Sequence, residues 1–228
     1  VSDWSSDVCS SDLLRKAIER GDLHVVYQPV VAPRTGRIAG AEALVRWTLN
    51  GSTVPTDVFI RLAEDTGLIV PLGQHVLDTV TRDAHSLREA AGGSISISVN
   101  ISARQLRDPD FVGAVQRAVR GMGKTALVLE ITERQGIGDD VEVIEAMRVI
   151  AALGVRFAID DFGVGFSSIS YLHELPAHVV KTDATLSQNI DSDDRARAVL
   201  GAVVTMGEAL GLDVVVEGIE RPGQLDAV

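Results

Sequence analysis

At 228 residues, with 46% apolar content and a formal charge of −11, the chain can bury one substantial core and is too acidic to be expected on a nucleic-acid polymer. No apolar run approaches the length of a membrane span, and there is no apolar signal-peptide core. The single cysteine, Cys9, supports neither a disulfide framework nor a thiolate zinc site, so the expectation is a cytoplasmic domain that does not itself enter a membrane.

Residues 3–13 (DWSSDVCSSDL) form a Ser/Asp-rich string resembling a translated sequencing adapter. Residues 1–13 are therefore expected to be a non-native or disordered leader, with one domain spanning 14–228 and no linker or repeat dividing it. Farther along, Glu42, Leu44 and Arg46 share one face of a strand by simple alternation. Residues 56–64 and 72–90 read as helices, the first opened by Pro55-Thr56-Asp57 and the second followed by Gly92-Gly93. Residues 94–101 alternate strictly, with Ile95, Ile97, Val99 and Ile101 on one face and Ser94, Ser96, Ser98 and Asn100 on the other. Residues 127–132 (LVLEIT) suit a strand buried on both faces, so Glu130 in its middle needs a reason.

Asp139-Asp140 reads as a helix start, and Val143, Ile144, Met147, Ile150 and Ala151 make a helical stripe stopped by Gly154. Val199, Leu200, Val203, Val204 and Leu210 repeat that pattern before Gly211. Between and after them, residues 155–161 (VRFAIDD), 179–183 (VVKTD) and 213–217 (DVVVE) are apolar strands that close on charge. Strand and helix alternate along most of the chain, which predicts an α/β fold with a largely parallel sheet, most simply a barrel.

Glu42, Asn100, Glu130, Asp160, Asp161, Lys181 and Glu217 all fall in or at the ends of such runs. Parallel strands bring their carboxyl ends to one face, and so many carboxylates there would repel one another unless divalent cations lay between them. Oxygen donors suit hard cations. A lone acid at a strand end is more often solvated or a helix cap, but seven groups in register resist that explanation. His24, His75, His85, His173 and His178 share no spacing and read as structural or solvated; Tyr27 and Trp47 read as packing residues.

The segment 27–47 (YQPVVAPRTGRIAGAEALVRW) carries Glu42-Ala43-Leu44, and SVNIS (98–102), LEITE (129–133), DDFGVGFSS (160–168), Leu175-Pro176 before KTD (181–183), and VEGIE (216–220) follow in order. Together these motifs resemble the EAL domain family over nearly all of 14–228. The resemblance implies a phosphodiesterase that opens cyclic di-GMP to linear pGpG, in a modified TIM-type (β/α)8 barrel with two Mg2+ or Mn2+ ions. It implies that Glu42, Asn100, Glu130 and Asp160 hold one ion, and that a bridging Asp160, with Asp161 and Glu217, holds the other. Lys181 then sits near the attacking water and is catalytic together with Glu42 and Glu217. Gln28 and Arg46 hold the dinucleotide, Arg46 by pairing with a phosphate oxygen. Glu133 anchors the loop 161–168, whose Gly163 and Gly165 allow it to couple metal, substrate and dimer contacts. Val164, His178 and Thr182 stand where Thr, Asp and Ile are commoner in the family, positions that tune rather than catalyse.

The family also implies a homodimer, an upstream sensor or GGDEF-type domain in a full-length protein that could itself be membrane-anchored, and a closing strand and helix after the helix near Arg221. That last strand and helix are missing from this sequence, so a C-terminally incomplete barrel is expected. Two other readings stand beside the phosphodiesterase. One is a catalytically inactive EAL domain serving as a cyclic di-GMP receptor, although such domains typically lose metal ligands. The other is a different metal-dependent barrel hydrolase, which would not carry the ordered motifs.

Overall fold

The computed structural model describes residues 7–132, 140–163 and 175–228. The chain divides into two compact units, Val1–Val30 with Ile38–Leu127 and Val31–Arg37 with Val128–Val228.

The first unit is built from α1 (Asp7–Arg20), β1 (Leu23–Ala32), β2 (Arg37–Leu49), β3 (Ser52–Val54), α2 (Thr56–Thr66), α3 (Ile69–Ala90), β4 (Ser96–Asn100), α4 (Ala103–Leu106) and α5 (Phe111–Met122). Helix α1 starts inside the segment read as a leader and buries Leu14 and Ala17. They join Leu23, Trp47, Val54, Phe59, Ala63, Leu68, Ile69 and Leu72 in one core. Trp47 meets Phe59 edge to face at 5.9 Å, a geometry that aromatic quadrupoles favour. Tyr27 is half-buried and donates its hydroxyl to Asp83 at 2.7 Å; burial, then that bond, raises its pKa above the ordinary phenol value. Both aromatics are packing residues, as expected. Strand β2 pairs antiparallel with β3 and parallel with β4, with Glu42 opposite Ser98.

Helix α3 begins at Ile69, earlier than the sequence reading placed it, because Pro71 is tolerated in a first turn where the backbone N–H has no intrahelical partner. Helices α4 and α5 were not anticipated. The signal for α5 is the stripe Phe111, Ala114, Val115, Ala118 and Met122, all buried.

The second unit contains β5 (Ala126–Thr132, which enters it from the first), α6 (Val141–Ala151), β6 (Arg156–Phe162), β7 (Val179–Thr182), a 3-10 turn (Ala184–Leu186), α7 (Asp194–Ala209), β8 (Asp213–Val216) and α8 (Pro222–Ala227). β5, β6, β7 and β8 pair in that order, and every pairing is parallel. Asp140 caps α6 by accepting from the Val143 N–H at 3.1 Å, while Asp139 lies outside the described residues. Helix α6 buries Val143, Ile144, Met147 and Ile150, the stripe read from the sequence. For α7 the reading needs correction, because Val199 and Leu210 are exposed. The inward face runs through Leu200, Val203, Val204 and Gly207. Gly207 turns it, since a Cβ there would lie 2.4 Å from Val214 Cγ2 on β8. Among the described residues, no helix is long and apolar enough to cross a membrane.

At the entry ends of β6, β7 and β8, Arg156 Nη2 donates to the His178 carbonyl at 3.1 Å and to Asp213 Oδ2 at 2.6 Å. The Phe157 N–H donates to His178 Nδ1 at 3.2 Å, which requires that nitrogen to be unprotonated. Burial, and secondarily the Arg156 cation, lower the His178 pKa below 6.5, opposed by a bond with the Pro176 backbone. The folded chain therefore binds fewer protons here than the unfolded one. This contribution to stability is complete above the unfolded value of 6.5 and is lost as pH falls below it towards the folded value. We expect the urea midpoint of the chain to fall between about pH 7 and about pH 5, and His178→Asn, which keeps an acceptor that cannot protonate, to fall less steeply. Identical slopes would contradict this account.

Candidate metal and catalytic site

Four groups converge in the second unit. The Lys181 side chain is 5% exposed, and its ammonium lies 2.7 Å from Glu130 Oε2, 2.9 Å from Glu217 Oε1 and 3.3 Å from Asp160 Oδ2. The Glu130 side chain is 2% exposed. A carboxylate in the middle of a strand buried on both faces is expensive without a cation, and Lys181 is the cation it meets.

Strand register explains how these groups meet. Glu130 is opposite Ala158 and Thr132 opposite Asp160, while Lys181 is opposite Val215. Between β6 and β7 the register slips: Ile159 pairs with Val180, but Phe162 pairs with Thr182. Two residues of β6, Asp160 and Asp161, thus oppose the single residue Lys181. Such a bulge re-aims side chains at the edge of a site. Asp161 takes a left-handed φ of 57°, which a non-glycine residue holds only when its surroundings enforce it. Its N–H donates to Asp160 Oδ1 at 2.9 Å, so one Asp160 oxygen faces the Asp161 backbone and the other faces Lys181. Gly163 continues the turn at φ 104°, where a Cβ would stand 2.6 Å from Leu186 Cδ1.

Three carboxylates thus surround one ammonium among the described residues. Glu130 and Asp160 offer oxygens within 4.8 Å of each other. A donor set of hard oxygens is chemically suited to Mg2+ or Mn2+.

Glu217 follows β8, and its side chain is 34% exposed. Its backbone is held instead: the N–H donates to Thr182 Oγ1 at 3.4 Å and the carbonyl accepts from Ser187 Oγ at 2.5 Å. Gly218 follows in the left-handed region at φ 73°.

In the first unit, Asn100 at the end of β4 donates Nδ2 to Glu42 Oε1 at 2.8 Å. One of the two amide N–H groups is used there, and Oδ1 is the acceptor that a hard cation would take. Arg46 is half-buried and donates Nη1 to the Val45 carbonyl at 2.9 Å. Gln28 is exposed on β1.

Glu133 and most of the loop 161–168 lie outside the described residues, as does His173. His75 Nε2 meets the Leu23 carbonyl at 3.2 Å and His85 meets Arg88 and Glu89 on its own helix, so neither joins a site. Sequence reasoning missed Ser187 and Gln224, two buried polar residues beside Glu217. Gln224 had a signal: Pro222 in the first turn and Gln224 at the third helical position are a helix-start pattern.

The EAL domain profile matches residues 11–228. The chain is 34% identical over 226 residues to the probable cyclic di-GMP phosphodiesterase PdeG of Escherichia coli, covering 98% of this chain and 45% of that protein. It is 36% identical over 215 residues to the bifunctional diguanylate cyclase/cyclic di-GMP phosphodiesterase MucR of Pseudomonas aeruginosa, covering 92% of this chain and 31% of that protein. The chain thus spans less than half the length of both relatives. Among solved structures, the PaMucR phosphodiesterase in complex with c-di-GMP superposes with a TM-score of 0.83 at 35% identity, over 96% of this chain and 90% of that one. The fold is accordingly the α/β fold of those domains, a modified β/α barrel type. With the profile running over all but the first ten residues and the carboxylates gathered on Lys181, the chain belongs to the EAL domain family.

Proposed function

We propose that this domain is a metal-dependent phosphodiesterase that hydrolyses cyclic di-GMP to linear pGpG in bacterial second-messenger signalling. The observation that carries the reading is the buried Lys181 ammonium held by Glu130, Asp160 and Glu217. Two relatives whose names state this activity, and a similar structure that binds c-di-GMP, support it. So does the retention of every ligand position that the family pattern requires within this sequence.

In this reading Glu42, Asn100, Glu130 and Asp160 hold one Mg2+ or Mn2+, and Asp160, Asp161 and Glu217 hold a second. When bound, the ions supply neutralisation of phosphate charge and acidification of water. The chain's own groups do the rest. Arg46 pairs with a non-bridging phosphate oxygen, and Gln28 holds the dinucleotide. Lys181, whose three N–H donors face three carboxylates, exchanges one of those bonds for the attacking water and so sets its line of approach. Water adds at phosphorus, the bond to the 3′-oxygen breaks, and the product keeps a 5′-phosphate and gains a 3′-hydroxyl. MucR, whose name joins a cyclase to a phosphodiesterase, supports a longer protein in which a GGDEF-type or sensor domain governs this one.

Two substitutions test the assignment. Glu130→Gln should abolish turnover while the circular-dichroism spectrum stays native, because a neutral amide is a poor ligand for a hard cation. Activity retained at saturating Mg2+ would refute the ligand set. Lys181→Met should lower kcat by about a hundredfold or more and leave KM for the dinucleotide little changed, as loss of a group acting on the attacking water should. A loss confined to KM would make Lys181 a substrate contact. Tight dinucleotide binding by the parent chain without any pGpG would favour the receptor reading.

A further inference from the structure

We infer that Ser187 and Gln224 are positioning residues that aim the Glu217 carboxylate, an inference that rests on the metal-ligand role of Glu217 proposed above. Glu217 is the most exposed of the three carboxylates around Lys181. Packing around its side chain is therefore the loosest of the three, so that beside the Lys181 contact its aim depends on where its backbone is fixed.

That fixing comes from a buried hydrogen-bond chain. Gln224 is 1% exposed, and all four bonding positions of its amide are used. Oε1 accepts from the Glu220 N–H at 2.9 Å and the Arg221 N–H at 2.8 Å. Nε2 donates to the Ser187 carbonyl at 2.8 Å and to the Gly218 carbonyl at 3.3 Å. Ser187, fully buried, places its hydroxyl between the carbonyls of Glu217, at 2.5 Å, and Ala184, at 2.9 Å, the shorter contact being to Glu217, and Glu217 Oε1 meets Lys181 Nζ at 2.9 Å. The line from Gln224 through Ser187 to Glu217 and Lys181 is continuous.

Two further contacts leave the loop little freedom. A Cβ at Gly218 would stand 2.7 Å from Ser187 Oγ and 2.8 Å from Ala184 Cβ, so the backbone after Glu217 is packed onto the turn after β7. Arg221, at the start of α8, grips Asp191 through Nε and Nη2, both at 2.9 Å, and the Gln188 carbonyl at 2.6 Å. If Gln224 did nothing but cap α8, two bonds to its own helix start would suffice. Its other two bonds reach the residue after Glu217 and the residue that holds the Glu217 carbonyl.

The test is Mn2+ binding by the 228-residue chain, read from the paramagnetic resonance of free Mn2+, with thermal melting in parallel. Ser187→Ala and Gln224→Met should each weaken the site containing Glu217 by about tenfold or more, the usual effect of removing a group that orients a metal ligand. Neither should weaken Mn2+ binding further in a Glu217→Gln background, because the ligand they aim is already lost. Ser187→Ala removes one hydroxyl and keeps the argument testable if Gln224→Met fails to fold. A lowered melting temperature with unchanged Mn2+ affinity, or equal losses with and without Glu217, would make both residues purely structural and overturn the inference. A folded parent chain that binds no Mn2+ would overturn the metal reading itself, and would be recognised before any variant is compared.

Discussion

The burial of one ammonium among three carboxylates is the constraint on which the second unit is arranged. Lys181 and Glu130 are both almost wholly out of water, where removing one partner of such a set typically costs about 3–5 kcal/mol because the remainder is stranded. The parallel register of β5, β6, β7 and β8 brings the four groups together, and each strand contributes at or near its carboxyl end. A core of Val128, Ala158 and Val179, with Val215 against it, holds the strands beneath the charges. Apolar packing thus supplies the rigidity that an ion cluster cannot supply for itself.

Local backbone conformation does what register alone could not. An unbroken β6 ladder would set one aspartate opposite Lys181, whereas the bulge sets two there, with Asp161 in a strained conformation. The loop after β8 uses the opposite device. Glycine takes a left-handed φ of 73° without strain, and a buried glutamine amide holds its carbonyl. One side of the cluster is held by an enforced kink and the other by hydrogen bonds, and both lie within one or two residues of a carboxylate.

Much of this was legible in the sequence because it obeys short periods. Strict alternation over 94–101 located β4, and the apolar runs closing on Asp160, Lys181 and Glu217 located β6, β7 and β8 to within a residue or two. Glu130 announced itself as a charge where a doubly buried strand should have none. Other features obey no local rule. Nothing in VRFAIDD shows that the ladder slips after Ile159, since the slip depends on its partner strand. The exposed Val199 and Leu210 follow the helical period but fall outside the face that Gly207 opens to β8. Ser187 is an unremarkable polar residue in sequence and Gln224 is marked there only as part of a helix start, and their importance comes from hydrogen bonds across 30 and 37 positions.

The central claim is that this arrangement cleaves a phosphodiester rather than only binding one. Phosphorus NMR of cyclic di-GMP incubated with the 228-residue chain and Mg2+ in heavy-oxygen water tests it directly. The account predicts that half of the diester phosphorus signal is replaced by a phosphomonoester resonance carrying the isotope shift of one oxygen from solvent, with the second diester intact. Broadened diester resonances that persist, with no monoester formed while the protein remains folded, would contradict it.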